Sequence, residues 1–257
     1  MARTPKSETV ETVTEEHAAG TRSLAAVLSK KSVFSQFSCW LVGDTPLIVH
    51  AWSQKAKLEM LGKQVKAVRS SKEARDPHAD YVSSLYPMGP DTYGFPVTGI
   101  KNCILSAAHK DKGVPRSTAM GALWLHSEMV RVMPALAGAC CDMPLVKIFG
   151  DEPEMREDMT KIGAGLSKVA NLAYRAQFKT WAIKITGSLN SAVLTEEQLA
   201  FLIEESGRSS GLGEWRNERK GVFGAFHLAS IEEELAWQDF ADGRGPIPRP
   251  EMLQAAE

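Results

Sequence analysis

The sequence predicts an α+β fold in which strands and helices alternate around one core. Near the C-terminus, Trp181, Ile183 and Ile185 alternate with polar or small residues, which is the period of a strand with one buried face. Apolar residues then recur at helical spacing before a further strand, and a similar strand and helix occur in the N-terminal half. The chain has 257 residues, of which 44% are hydrophobic, so it can bury the core of one large domain.

The N-terminal part is predicted to be an arm followed by a strand and a helix. Residues 1–30 lack a sustained hydrophobic period, so we expect a mobile arm. Val33–Val42 is predicted as the first strand because it is rich in β-formers and aromatics. An amphipathic helix is predicted from Ser53 to Arg69. Its buried stripe contains Leu58, Leu61, Val65 and Val68.

A row of cations follows a neighbouring face of this predicted helix. The row consists of Lys55, Lys63, Lys66 and Arg69. It is either a basic ridge that binds phosphates or an ordinary solvated face, and the spacing alone fits both.

A second helix is predicted after Gly94-Phe95-Pro96-Val97, from Thr98 as a candidate N-cap to about His109. A short helical piece is expected before it, within 75–88. Lys101 falls in the first turn, where a cation opposes the positive end of the helix dipole. A nearby phosphate would stabilise Lys101 there, although a plain exposed lysine also fits.

Residues 110–175 are predicted as a large insertion of paired strands, with candidate strands near 120–132 and 144–149. After the strand at 180–186, Thr195 and Gln198 have the spacing of a capping box, and the helix is expected to end at Gly207. A loop from Gly207 to Gly221 and a closing strand, Val222–Leu228, complete the pattern. Residues 231–257 are assigned to a C-terminal arm.

The order of these elements predicts a ferredoxin-like (RRM-like) βαββαβ core. The first strand and the helix at 98–109 form one half, and the strand, helix and closing strand of the C-terminal region form the other. We therefore assign 31–230 to one domain that carries the insertion.

The loop at 207–221 combines glycines, cations and an aromatic residue. Gly211, Gly213 and Gly221 permit close approach of the backbone, so that N–H groups can face a phosphate. Arg216, Arg219 and Lys220 supply positive charge, and Trp215 offers a surface for base stacking. A tight connection between a helix and a strand would have similar composition. The P-loop and dinucleotide-binding spacings are absent from the sequence.

Three segments resemble motifs of the RAMP superfamily, the ferredoxin-like RNA-binding subunits that form the backbone of CRISPR effector complexes. Asp44–Ile48 resembles the end of the family's first strand and the turn after it. Gly94–Lys101 is similar to the start of its first helix, whose lysine side faces nucleic acid, and Gly211–Gly224 is similar to its signature loop. The resemblance spans most of 33–228. It implies binding of single-stranded nucleic acid by a homo-oligomer or helical filament.

The sequence departs from the family pattern in ways that bear on activity. Neither the catalytic histidine of the guide-processing RAMP endonucleases nor the catalytic aspartate of the target-cleaving subunits is placed in this sequence; Asp44 follows the first strand, but its context does not match. No enzyme activity is expected. Val97-Thr98-Gly99 replaces the serines of the family's helix start. A stand-alone protein of a virus or mobile element, which coats single-stranded DNA instead of RNA, is therefore a further possibility.

Two alternative functions are left open by the sequence. One is a scaffolding subunit that does not bind nucleic acid. The other is a metal-dependent nuclease that uses Asp44, Asp76 or Asp91. Against the second, Asp44 is expected in a turn or cap and Asp76 at the start of a helix, and no metal site or cofactor is predicted.

Composition constrains the partners and the compartment. The formal net charge is −1, so nucleic-acid binding would depend on local charge and not on an overall basic surface. The four cysteines contain no C-x-x-C pair and are expected to be reduced thiols. No apolar run has the length of a membrane span and the first residues lack a secretion signal, so we expect a cytoplasmic protein without a membrane partner.

Overall fold

The fold was analysed in a computed structural model that describes residues 34–51, 57–61, 76–108, 114–132, 142–162 and 169–249. Its strands pair in antiparallel fashion and its helices pack on the sheets, so the mixed α+β class is confirmed. The predicted N-terminal arm, 1–30, lies outside the described residues.

The strands are numbered β1 to β11 in chain order. They are β1 Phe34–Gly43, β2 Leu47–Val49, β3 Pro87–Gly89, β4 Thr92–Pro96, β5 Leu123–Leu125, β6 Glu128–Val130, β7 Met143–Gly150, β8 Glu154–Ile162, β9 Val169–Phe178, β10 Trp181–Asn190 and β11 Phe226–Leu228. The helices are α1 Pro77–Ser84, α2 Val97–Ala107, α3 Arg116–Ala122, α4 Glu196–Ser209 and α5 Ile231–Ala241. None of the helices in the described ranges is both long and apolar enough to cross a membrane.

The main sheet has the strand order β11-β1-β10-β7-β4-β3, with β5 beside β10 and β6 beside β7. Because β10 is antiparallel to both β1 and β7, those two strands run parallel with β10 between them. In the same way β10 and β11 run parallel with β1 between them. The sheet therefore contains two parallel pairs, β1 with β7 and β10 with β11, and one strand of each pair lies between the two strands of the other.

The two faces of this sheet are buried by different helices. Because alternate residues of a strand point to opposite faces, Leu41 and Ile183 join the core on one side, while Trp40 and Ala182 are buried on the other. Helices α2 and α4 pack together on the Leu41 side. Their core residues include Ile100, Ile104, Leu199, Leu202 and Ile203.

Several predicted elements are confirmed. The first strand, the helix after Pro96 and the strand of Trp181 occur as expected, and Thr195 and Gln198 form a capping box. The N-cap of α2 is Pro96 instead of Thr98, so no side chain caps this helix. Within the predicted helix at 53–69, residues 57–61 are helical, but Leu58 and Leu61 are 50% and 40% exposed instead of buried.

Helix α4 runs past Gly207 to Ser209, and the closing strand is shorter than predicted. A Cβ at Gly207 would overlap the carbonyl oxygen of Phe226. This glycine therefore does not end the helix; it allows β11 to pack closely against it. Gly224 has φ +67°, which keeps the chain before Phe226 out of the extended conformation. The strand therefore comprises only Phe226–Leu228.

The segment 110–175 contains paired strands, as predicted, and also helix α3, which was not predicted. Strand β8 pairs with β9 from Glu154↔Gln177 to Ile162↔Val169. Together with β2 they form a second sheet of order β2-β9-β8. Met159 and Val169 toward the far end of this hairpin are 76% and 68% exposed, so this part of the hairpin stands away from the core.

The segment assigned to a C-terminal arm begins with an ordered helix, α5. Ser230 and Glu233 form a capping box at its start, with Ser230 Oγ accepting from the Glu233 N–H at 3.2 Å. Trp237 is 1% exposed and stacks on Trp40, with ring centroids 6.2 Å apart. The assignment of 231–257 to an arm was wrong for this helix, because the glycines and prolines after 241 were given more weight than the capping signal.

A histidine joins α5 to the edge of the main sheet. His227 Nδ1 lies 2.6 Å from Asp44 Oδ1, and its Nε2 lies 3.1 Å from Glu233 Oε1. Burial opposes protonation of the ring, but the hydrogen bonds and charges of the two carboxylates outweigh it, so the pKa of His227 is raised above 6.5. The protonated imidazolium therefore stabilises the folded chain.

Replacing His227 by glutamine is expected to reduce stability in a pH-dependent manner. Because the folded-state pKa is raised, the contribution of the imidazolium is fully present below about pH 6.5, the ordinary pKa, and is lost as pH rises through the raised value. Urea unfolding of both proteins across this range measures the gap in free energy. A gap that widens as pH rises would contradict this role.

Candidate nucleic-acid interface

Two segments far apart in the sequence form the walls of one cleft, which we call the loop cleft. One wall is the start of α2 with Thr98, Gly99 and Asn102, and the other is the loop segment 210–214. His50, Tyr86 and Arg116 also line the cleft, and its volume is about 430 Å³. Both walls carry motifs that are recognisable in the sequence, but the sequence does not predict that they face each other.

The glycine-rich loop is anchored to the body through its backbone. Gly211 and Gly213 have φ of +73° and +76°, and Leu212 between them is buried. The N–H of Leu212 donates to Gly224 O at 2.8 Å, and that of Glu214 donates to Ile48 O at 2.9 Å. These two amides therefore already donate to protein carbonyls and are not available to a phosphate.

Arg216 is part of the loop's internal structure. Its guanidinium donates to Gly213 O at 2.9 Å and to Glu218 Oε2 at 2.6 and 2.9 Å. The side chain is 27% exposed and lines the loop cleft beside Glu218. Its Nε, Nη1 and Nη2 atoms thus already donate to protein oxygens, and its predicted contact with a phosphate stays a prediction.

Arg219 and Lys220 are the exposed cations of the loop. They lie at the end of a 3-10 turn, Asn217–Arg219, and Lys220 has φ +63°. Neither forms an ion pair with another residue in the part of the chain that the structure describes. Within the predicted loop site, the guanidinium group of Arg219 and the ammonium group of Lys220 are therefore available to an external anion.

Trp215 and Gly221 fix the outer turn of this loop. Trp215 is 40% exposed, and its carbonyl oxygen accepts the N–H of Phe223 at 3.1 Å. A Cβ at Gly221 would overlap that same carbonyl oxygen, so the close approach requires glycine. The indole of Trp215 therefore keeps an accessible face on a firmly held backbone.

A second charged group at the rim was not singled out in the sequence. Glu214 lies 2.5 Å from His50 Nδ1 through one oxygen and 2.8 Å from Arg175 Nε through the other. Burial opposes ionisation of Glu214, but these partners outweigh it and the pKa of Glu214 is lowered. The lining thus contains both signs of charge, with Glu214 and Glu218 set against Arg116 and Arg216.

Lys101 lies outside the loop cleft, although its neighbour Asn102 lines it. Its Nζ lies 5.9 Å from the ring centroid of Trp124, a cation–π contact. The predicted basic ridge cannot be placed, because Lys55, Lys63, Lys66 and Arg69 lie outside the described residues.

Two of the three aspartates of the nuclease alternative, Asp44 and Asp76, have structural contacts. Asp44 pairs with His227, and Asp76 caps α1 by accepting from the N–H groups of His78 and Ala79. Asp91 has φ +48° in the turn between β3 and β4. No group of three or more histidine, cysteine, aspartate or glutamate side chains within the described ranges is arranged to hold a metal ion.

No known family model matches the chain, and no curated protein matches its sequence.

Proposed function

We propose that this chain binds single-stranded nucleic acid, RNA or DNA, with little dependence on base sequence. The observation that carries the proposal is that the two segments singled out by the RAMP resemblance, distant in sequence, face each other across the loop cleft. Arg219 and Lys220 stand exposed beside it and supply phosphate contacts, while Trp215 offers a stacking surface. The glycines and Arg216 hold the loop in shape.

We also propose that the main sheet is a ferredoxin-like core and that the chain is a stand-alone member of the RAMP type. The interleaved parallel pairs, β1 with β7 and β10 with β11, support a split βαβ arrangement, with α2 and α4 on the same side. On this proposal the β8–β9 hairpin, whose far end is exposed, contacts a neighbouring copy in an oligomer or filament along the nucleic acid.

Replacing Arg219 and Lys220 together by alanine is expected to weaken binding to every single strand about tenfold, or about 1.4 kcal/mol. Because two phosphate contacts are lost, the negative slope of the logarithm of the association constant against the logarithm of the salt concentration should become shallower by about 1.4. Fluorescence anisotropy with labelled oligonucleotides at several salt concentrations measures both quantities.

The matched control removes two other exposed cations, Arg131 and Arg244, which are 58% and 60% exposed, pair with Asp142 and Asp239, and do not line the loop cleft. It changes the net charge equally and should leave affinity and slope almost unchanged. Equal losses in both double variants would show that only the total charge matters, and undiminished affinity of the loop variant would remove Arg219 and Lys220 from the interface.

A scaffolding subunit without nucleic-acid binding is the second candidate. It is favoured by the pairing of Arg216 with Glu218 and by the formal net charge of −1. Absence of any salt-dependent binding by the unmodified chain would support this candidate over the first.

A further inference from the structure

Trp124 is exposed on a strand that the core holds firmly. Its side chain is 68% exposed, whereas its neighbours Leu123 and Leu125 are 2% and 7% exposed. The three residues pair with Leu189, Ser188 and Gly187 of β10, which fixes the backbone of β5. A large exposed aromatic on a rigid strand is uncommon, because tryptophan is usually well buried. The backbone that carries the indole is therefore fixed by the sheet, while the ring itself is accessible.

The surroundings of Trp124 are polar and cationic. Lys101 Nζ lies 5.9 Å from the ring centroid on one side. Ser188, which pairs with Trp124 in the sheet, exchanges hydrogen bonds with Gln36 at 3.1 and 3.2 Å and lies 3.2 Å from His126 Nε2. A ring face, an ammonium group and a cluster of amide, hydroxyl and imidazole groups suit a nucleotide better than a purely apolar partner surface.

Helix α2 connects this place to the loop cleft. Asn102 lines the cleft, and the preceding residue, Lys101, contacts Trp124. Nucleic acid bound in the cleft beside Asn102 would therefore lie close to Lys101, which contacts the indole.

We infer that Trp124 stacks against one base of the bound strand and that Lys101 binds the phosphate beside it. The inference rests on the proposed function and assigns it a second contact region, distinct from Arg219 and Lys220. It also gives Lys101 a role away from the loop cleft. Base stacking of this kind contributes about 1–3 kcal/mol in single-strand binders.

The test compares two probes of equal length, a labelled oligothymidylate and an oligomer with abasic sites in place of the bases. Trp124→Ala should weaken binding to oligothymidylate about 5- to 150-fold, while binding to the abasic strand stays unchanged. Trp124→Phe should retain much of the affinity, because it keeps a ring face, and Trp124→Leu should not. Lys101→Ala should weaken binding to both probes and make the dependence of affinity on salt concentration less steep.

Phe201→Ala serves as the control, because Phe201 is a 52% exposed aromatic on α4 that lines neither contact region. It should bind both probes as the unmodified chain does. Unchanged affinity of Trp124→Ala for oligothymidylate, or an equal loss on the abasic strand, would overturn the inference while leaving the proposed function standing. If the unmodified chain bound neither probe, both would fail. If Trp124→Ala instead abolished self-association without changing DNA affinity, this surface would be an interface between copies, which also overturns the inference.

Discussion

Replacing Trp237 by alanine is expected to lower the free energy of unfolding by about 3–5 kcal/mol, the usual cost of deleting a buried tryptophan. The side chain is 1% exposed and lies between Trp40 and Phe240, with ring centroids 6.2 and 5.8 Å away. Its loss would leave a cavity between α5 and the main sheet. Trp237→Phe should cost much less, because the indole Nε1 has no hydrogen-bond partner to lose. Denaturant unfolding measures these differences.

The control for this change is Leu235→Ala on the same helix, where the side chain is 63% exposed. Its effect should stay within about 0.5 kcal/mol, as for most surface substitutions. If Trp237→Ala and Leu235→Ala had equal effects, α5 would not be part of the folded body, and the packing of this helix on the sheet would be contradicted.

Gly213→Ala is expected to destabilise the chain by on the order of 3 kcal/mol and to disrupt the loop cleft. Gly213 has φ +76°, and a Cβ there would overlap the carbonyl oxygen of Ile48. That oxygen accepts the N–H of Glu214, so relief of the overlap would break the hydrogen bond that holds the loop against β2. Thermal or denaturant unfolding measures the loss of stability, and oligonucleotide binding measures the loss of the loop's shape.

Gly121→Ala is the matched control, because a Cβ placed at Gly121 in α3 would meet no atom within 4 Å beyond its chain neighbours and the backbone of its own helix. This change should be neutral or stabilise the chain by up to about 1 kcal/mol, since alanine favours a helix over glycine. A Gly213→Ala protein as stable as the Gly121→Ala protein would contradict the close contact between the loop and Ile48.

Local patterns were enough to predict much of the C-terminal half. The alternation of Trp181, Ile183 and Ile185 and the capping box of Thr195 and Gln198 depend on neighbours in the sequence, so strand β10 and the start of α4 could be predicted. The capping box of Ser230 and Glu233 is equally local, so the start of α5 could also have been predicted. The glycines and prolines after α5 led instead to the assignment of an arm.

Which N–H groups of the loop are already hydrogen-bonded could not be predicted, because the carbonyl groups that accept from them are distant in the sequence. The N–H of Glu214 donates to Ile48 O, and the N–H of Gly224 donates to Pro46 O. Both acceptors lie about 165 to 180 residues earlier in the sequence. The position of Trp124 depends in the same way on pairing with Ser188. Composition therefore identified the residues of the loop but not which of its donors are already used.

The most direct test of the central claim is a titration of labelled single-stranded DNA, single-stranded RNA and duplex DNA with the unmodified chain at about 50 and 200 mM salt. We expect both single strands to bind more tightly than the duplex, to depend little on base sequence and to weaken steeply at the higher salt. If no strand binds at the lower salt, or if binding does not respond to salt, the exposed cations beside the loop cleft do not hold a sugar-phosphate chain and the proposed function is wrong.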